Sequence, residues 1–187
     1  MDTRTRVRRF LASSSIALGA VLLILTPVAH AQQKFPIVSQ GSAAEATYPQ
    51  QFAIDVGDVA EHKVRIYEIR RGEAANPTRF RGVKVVESWA RGVSDYIDYS
   101  GPTFGYIVWR LENGDRIFGR YSGTVHSVAG ADGTREYQYQ GLTVITGCTG
   151  EFRNIRGTIR DTTRGASKAG KALSNAERGE GEYWFEE

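Results

Sequence analysis

The sequence contains few residues of the kinds that build disulfides and metal sites. Among its 187 residues there is one Cys and there are three His, of which only His62 and His126 follow residue 31. A lone cysteine excludes an intrachain disulfide, and with it the class of small disulfide scaffolds. Two histidines without clustered acidic residues do not match the ligand spacing of a metal site. We therefore predict no metal ion and no other cofactor.

Motifs of the common catalytic classes are missing as well. The glycine-rich stretch around Cys148 is not a phosphate-binding loop, and no G-x-S-x-G nucleophile turn is present. Cys148 is distant in sequence from His62 and His126, so the chain does not indicate a Cys–His catalytic pair. A buried, unreactive thiol is the simpler interpretation of Cys148.

Long apolar runs are absent after residue 31, and the one that precedes it has the form of a secretory signal. Four arginines between residues 4 and 9 lead into an apolar stretch over residues 11–25, and Ala29-His30-Ala31 matches the small-x-small pattern of a cleavage site. The alternative is an uncleaved membrane anchor, but the run is short and interrupted by Ser, Gly and Pro. We expect residues 1–31 to be removed, leaving a periplasmic or secreted protein without a stable membrane anchor.

No excess of either charge remains once this segment is set aside. The whole chain has a net charge of +3 and a pI of about 9.1. Residues 1–31 hold four of the 24 Lys and Arg residues and one of the 21 acidic residues, which leaves 20 of each sign. A balanced chain lacks the basic surface that binds nucleic acids. We therefore expect no nucleic-acid partner.

Aromatic residues and glycines are abundant, which is typical of twisted sheet with tight turns. Residues 62–71 and 82–92 alternate like strands, Asn113-Gly114 and Asp132-Gly133 mark turns, and the chain closes on an aromatic strand. Seven or eight short strands predict an all-β sandwich or barrel in one domain, residues 62–187. Residues 32–61 show no sustained period and predict an extended N-terminal arm. Residues 167–177 could form a short helix.

Two motifs resemble the allene oxide cyclase barrel family, which is related to the dirigent proteins. The first is Thr146-Gly147-Cys148-Thr149-Gly150-Glu151-Phe152 with Gly157 after it, which resembles T-G-G-x-G-x-F-x-x-x-x-G with Cys in place of the second Gly. The second is Tyr67-Glu68-Ile69, which resembles a tyrosine-glutamate-isoleucine-asparagine stretch of the plant cyclases. The resemblance covers residues 62–187.

This resemblance implies a single closed antiparallel barrel of about eight strands, with a calycin-like shape, an apolar cavity and a tendency to form homotrimers. The family's cyclases isomerise a fatty-acid epoxide without a cofactor, and dirigent proteins steer the coupling of phenolic radicals. The cyclases place a Glu and an Asn two residues apart on the first strand, facing the cavity. Here the corresponding positions are Glu68 and Arg70, and a guanidinium is not a neutral amide.

Glu68 and Arg70 share a strand face with Val64 and Ile66. If that face is the barrel interior, Glu68 is a candidate general acid or base with Arg70 as its electrostatic partner. The alternative is a salt bridge at the rim.

Further candidates for ligand binding lie on the later strands. Glu87 and Arg110 are expected to meet as a cross-strand pair, with Trp89 on the face of Glu87. Alternation does not show which face points inward. If one set of strand faces points inward, Tyr106, Tyr121 and Tyr183 line the cavity; if the opposite faces do, Trp109, Phe118 and Trp184 line it.

Three functions follow as hypotheses. The leading one is an exported barrel that binds a small apolar or aromatic molecule without a cofactor and without catalysis. The second is a cofactor-free isomerase or cyclase that uses Glu68 with Arg70. The third is a structural barrel that serves only oligomerisation.

Overall fold

The protein, described by a computed structural model over residues 33–39, 46–168 and 171–186, is an antiparallel β-structure. Its strands are β1 Gln33–Ser39, β2 Ala46–Asp55, β3 His62–Arg71, β4 Arg79–Phe80, β5 Val83–Ile97, β6 Gly101–Leu111, β7 Arg116–Ala129, β8 Thr134–Cys148, β9 Ile155–Lys168 and β10 Lys171–Phe185. One turn of 3-10 helix, Gly150–Phe152, joins β8 to β9. No helix in these ranges is long and apolar enough to cross a membrane. The all-β prediction is confirmed, while the predicted signal peptide lies outside the described residues.

All ten strands belong to antiparallel pairings. Their order is β1-β10-β9-β8-β7-β6-β5-β3-β2, and the two-residue β4 pairs with β5. The edge strands β1 and β2 do not pair with each other within the described ranges. The single antiparallel sheet agrees with the prediction, its ten strands exceed the expected eight, and the closed barrel stays a prediction.

The hairpin turns lie where the turn residues predict them. Gly114 and Gly133 have φ values of +88° and +78°, in the left-handed region that glycine enters without a steric penalty. Gly114 lies in the turn between β6 and β7, and Gly133 in the turn between β7 and β8. These turns align β6, β7 and β8 as consecutive neighbours in the sheet.

The hydrophobic core lies at one end of the sheet. Its members come from the start of β5, β7 and β9, from the end of β6, β8 and β10, and from β4 and the 3-10 turn, which antiparallel pairing brings to the same end. They are Phe80, Val85, Leu111, Ile117, Ile145, Phe152, Ile155, Ile159 and Tyr183. Phe80 is fully buried, and its ring centroid lies 5.1 Å from that of Phe35 and 5.7 Å from that of Tyr183. The aromatic rings therefore seal this end.

The segment 32–61, predicted as an arm outside the barrel domain, instead contributes two strands. β1 pairs along β10, and β2 pairs along β3. Most side chains of β2 are exposed on both faces, so its sequence has no hydrophobic alternation. Backbone hydrogen bonds join the strand to the sheet without requiring that pattern.

The predicted helix over residues 167–177 is also wrong, because β9 ends and β10 begins within this segment. The register aligns Gly165 with Asn175 and Glu177 with Thr163. Small side chains give this segment no strong apolar period of either kind, so composition could not distinguish a hairpin from a helix. The strand conformation is fixed by backbone pairing, since β9 pairs with β8 and β10 pairs with β1.

We expect Phe80→Ala to lower the free energy of unfolding by about 3–5 kcal/mol, because it removes a fully buried ring and leaves a cavity. Phe104→Ala is the matched control, since Phe104 is 56% exposed, and it should cost less than about 1 kcal/mol. Urea denaturation measures both values. Equal losses in the two variants would contradict the placement of the core.

Candidate functional site

The sheet curls around a cavity of about 650 Å³. Side chains from β2 and from β10, strands near opposite edges of the sheet, line the same space, as do side chains from every strand between them except β4. Seven tyrosines contribute to the lining: Tyr48, Tyr67, Tyr96, Tyr99, Tyr121, Tyr137 and Tyr139. We call the face that lines this space the inner wall and the opposite face the outer wall.

Three hydroxyl groups on the inner wall form a directed chain. The Tyr67 hydroxyl lies 2.7 Å from Thr103 Oγ1 and 2.8 Å from the Tyr121 hydroxyl. Thr103 donates its only hydroxyl proton to the Val93 carbonyl oxygen at 3.0 Å. Tyr67 therefore donates to Thr103, and Tyr121 donates to Tyr67. Because all three protons are used within the chain, Tyr121 can offer a bound molecule only an acceptor oxygen.

Burial favours the neutral phenol form of Tyr96, Tyr121 and Tyr139 on the inner wall. Burial raises the pKa of Tyr96 to about 12. Burial also raises the pKa values of Tyr121 and Tyr139 well above the ordinary tyrosine value, and the neighbouring Tyr67 adds to the shift in both. The cavity thus presents aromatic rings and uncharged hydroxyl groups at neutral pH.

Glycines leave room for the rings of Tyr137 and Tyr139. A Cβ atom on Gly141 would lie 2.3 Å from Cζ of Tyr139, and one on Gly123 would lie 2.4 Å from Cε2 of the same ring. A Cβ on Gly165 would lie 2.4 Å from Cζ of Tyr137. The two rings therefore lie against glycine backbone on the inner wall, where any larger residue would push them into the cavity.

Two carboxyl groups lie on the wall formed by β9 and β10. Asp161 is aligned with Gly179, and Glu177 is aligned with Thr163, so the two side chains are diagonal neighbours on one face. Both line the cavity. Burial and, to a smaller extent, the charge of Glu177 raise the pKa of Asp161 to about 7, while the charge of Arg71 opposes the shift. Burial likewise raises the pKa of Glu177. The pair can therefore hold a proton near neutral pH.

Glu68 and Arg70 lie on the outer wall, since Tyr67, Ile69 and Arg71 are the β3 residues that face the cavity there. The Glu68 carboxylate accepts hydrogen bonds from Arg70 Nε at 2.5 Å and from Arg91 Nε at 2.8 Å. These bonds hold the pKa of Glu68 below its usual value. A general acid or base would need this carboxylate in the cavity, and that condition is not met.

Trp89, Glu87 and Arg110 lie on the outer wall as well. Arg110 Nε donates to Glu87 Oε2 at 3.0 Å, so the predicted cross-strand pair is present. The guanidinium carbons of Arg70 and Arg91 each lie 5.7 Å from the Trp89 ring centroid, within the range of a cation–π contact. This cluster is separated from the cavity by the sheet.

The predicted aromatic residues divide between three places. Tyr121 and Trp109 line the cavity, although they were assigned to opposite phases. Tyr183 is 1% exposed and packs in the end core, whereas Tyr106 is 62% exposed on the outer wall. The register explains the division, because Tyr121 is aligned with Gly105 and Tyr106 with Arg120. Neither of the two predicted sets of cavity-facing aromatic residues is therefore correct in full.

Cys148 and the two histidines do not come together. Cys148 donates its thiol hydrogen to the Phe152 carbonyl oxygen at the core end. His62 lies at the other end of the sheet, where its ring nitrogens contact Asp58 at 2.6 Å and Asp95 at 2.7 Å. Within the described ranges, no group of three or more His, Cys, Asp or Glu residues could hold a metal ion.

The sequence interpretation missed Asp161 and Glu177. It also missed the arginines of the inner wall, Arg65, Arg71 and Arg135. Hydrophobic alternation gives no signal for them, because their face of the sheet is polar. A usable signal was present in the glycines: Gly165 shares a face with Asp161, and Gly179 shares a face with Glu177. Glycines repeated on one strand face indicate close packing against that face.

We expect Asp161→Asn to stabilise the protein relative to the wild type as the pH rises. The folded-state pKa lies above the unfolded value near 3.8, so wild-type stability falls between that pH and about 7. The variant lacks this loss and should gain up to about 4 kcal/mol across the window, with a constant difference above it. Urea unfolding between pH 4 and pH 8 measures the gain. The exposed, outer-wall Glu136→Gln is the control, and a pH-independent effect of Asp161→Asn would contradict the assignment.

Glu68→Gln should lower the midpoint of thermal unfolding at pH 7. Since the folded-state pKa of Glu68 is depressed, its stabilising contribution is present above the ordinary value of 4.5 and is lost as the pH falls through the folded-state pKa. The difference from wild type should therefore narrow in acid. An unchanged difference at pH 7 and pH 3.5 would show that the two arginines do not bind an ionised carboxylate.

Comparisons with known proteins provide no relative from which a function could be transferred, since no family model, no curated protein and no solved structure matches the chain. The resemblance to the allene oxide cyclase family stays a prediction that rests on its two sequence motifs.

Proposed function

We propose that the protein is exported and binds a small apolar or aromatic molecule inside its curled sheet, without a cofactor. The observation that carries this proposal is the tyrosine-lined cavity of about 650 Å³. Pockets for drug-sized ligands have volumes of about 300–1,000 Å³ and apolar or aromatic walls with a few polar groups. Tyrosine rings supply large contact areas at a low entropic cost, because their positions are set by packing.

The hydroxyl chain adds a preference to this proposal. Tyr121 offers an acceptor oxygen, and its own proton is already donated to Tyr67. A ligand with a hydroxyl or amine donor beside its ring would satisfy that oxygen. Phenols and aromatic amines are therefore better matched to this part of the wall than plain hydrocarbons.

We also propose that the sheet acts as a closed barrel. The edge strands β1 and β2 follow each other in the chain, and both β2 and β10, the neighbour of β1, supply side chains to the same cavity. A closed sheet removes exposed edges and can enclose one small ligand. Both points support closure at the seam between β1 and β2.

The other hypotheses receive less support. A cofactor-free isomerase that uses Glu68 with Arg70 needs these groups in the cavity, and they lie on the outer wall. A barrel that serves only oligomerisation needs no open interior. A homotrimer, implied by the family resemblance, remains compatible with ligand binding, and sedimentation velocity measures it.

We expect the wild type to bind N-phenyl-1-naphthylamine, an uncharged aromatic probe whose fluorescence rises in apolar surroundings. Tyr139→Ala should weaken its affinity by about 2–10-fold, because the variant loses an aromatic contact worth about 0.5–1.5 kcal/mol. Tyr106→Ala is the matched control and should leave the affinity unchanged, since Tyr106 lies on the outer wall. Fluorescence titration measures both affinities, and circular dichroism verifies folding. Equal effects of the two substitutions, or no binding by the wild type, would refute the proposal.

A further inference from the structure

Two side chains on the β3 and β5 wall of the cavity have buried polar atoms without partners. Arg65 and Ser94 are aligned across the two strands, and both line the cavity. Arg65 Nε and Ser94 Oγ are buried, and neither has a hydrogen-bond partner among the described residues. Ser94 is fully buried as a residue. Unsatisfied buried polar atoms are rare in native proteins, so a pair of them facing one cavity indicates a missing partner.

The chemistry of the pair specifies that partner. A guanidinium has only donors to offer, and a serine hydroxyl can donate as well. The group that satisfies both is therefore an acceptor, and an anionic oxygen satisfies a guanidinium best. The neighbouring hydroxyl groups of Thr103 and Tyr67 cannot donate to the same acceptor, because their protons are used within the hydroxyl chain.

Arg65 is also held in place for such a role. Its guanidinium carbon lies 4.8 Å from the centroid of the Tyr67 ring, which limits the positions it can take. By contrast, Arg71 also has a partnerless Nε, but it acts on the pKa values of Asp161 and Glu177. The charge of Arg71 already favours the ionised forms of these two carboxyl groups, which makes it the weaker candidate for an anion.

We propose that Arg65 and Ser94 form an oxyanion subsite that binds the carboxylate of the ligand, while the tyrosines of the inner wall bind its ring. The ligand class is then the aromatic carboxylic acids. This inference rests on the proposed function, since it names the class of molecule that the cavity takes.

The test compares 2-naphthoate with 2-naphthamide, its uncharged amide, at pH 8 by displacement of N-phenyl-1-naphthylamine. The wild type should bind the carboxylate at least about 10-fold more tightly than the amide, as expected for a charge-assisted hydrogen bond. Arg65→Gln should abolish this preference. Ser94→Ala, a small change that preserves packing, should reduce it by about 3–10-fold.

Two arginine variants serve as controls. Arg164 is exposed on the outer wall, so Arg164→Gln removes the same charge from the chain and should leave the preference intact. If Arg71→Gln abolishes the preference while Arg65→Gln retains it, the anion binds at Arg71 and the proposal is overturned. Circular dichroism verifies folding, and Ser94→Ala decides the result if Arg65→Gln does not fold.

The remaining outcomes separate the two proposals. If the wild type binds N-phenyl-1-naphthylamine but does not prefer the carboxylate, the oxyanion subsite is refuted and the aromatic cavity stands. If the wild type binds neither the probe nor either naphthalene compound, the proposed function fails, and the subsite fails with it.

Discussion

The packing of tyrosine rings against glycine backbone keeps the interior of the sheet open. Tyr139 lies over Gly123 and Gly141, and Tyr137 lies over Gly165, at distances that leave no room for a Cβ atom. Ordinary side chains at these glycines would lift both rings into the space they border. The large rings therefore form the wall of the cavity instead of filling it, and the other features of the site depend on that space.

This arrangement reverses the usual distribution of polarity in a sheet. Tyrosines, arginines and two carboxyl groups face inward, whereas Ile66 and Phe104 are 60% and 56% exposed on the outer wall. Hydrophobic stabilisation is concentrated in the core at one end, where Phe80, Phe152 and Tyr183 pack together. The rest of the sheet is joined mainly by backbone pairing, so its inner wall can carry polar and ionisable side chains. Burial then shifts the pKa values of these side chains, as the raised pKa of Asp161 shows.

Elements with local signals could be predicted from the sequence. Asn113-Gly114 and Asp132-Gly133 identified two hairpins because glycine is favoured where φ is positive, and the alternation of residues 62–71 identified β3. The inward face of β3 could not be predicted. Val64 and Ile66 alternate with Arg65 and Tyr67, and the usual rule places the apolar set inside. On β3 the cavity side carries Arg65, Tyr67 and Arg71 instead, so the hypothesis that placed Glu68 in the cavity followed the wrong face. Tyr106 and Tyr121 were predicted to face the same side of the sheet. The register that places them on opposite sides depends on the loop between β6 and β7.

A crystal structure of the protein grown with N-phenyl-1-naphthylamine tests most directly whether the curled sheet is a binding site for small aromatic molecules. We predict density for one probe molecule inside the sheet, in contact with the rings of Tyr67, Tyr121 and Tyr139. An interior filled by side chains, or a probe bound only on the outer wall around Trp89 or Tyr106, would contradict the claim.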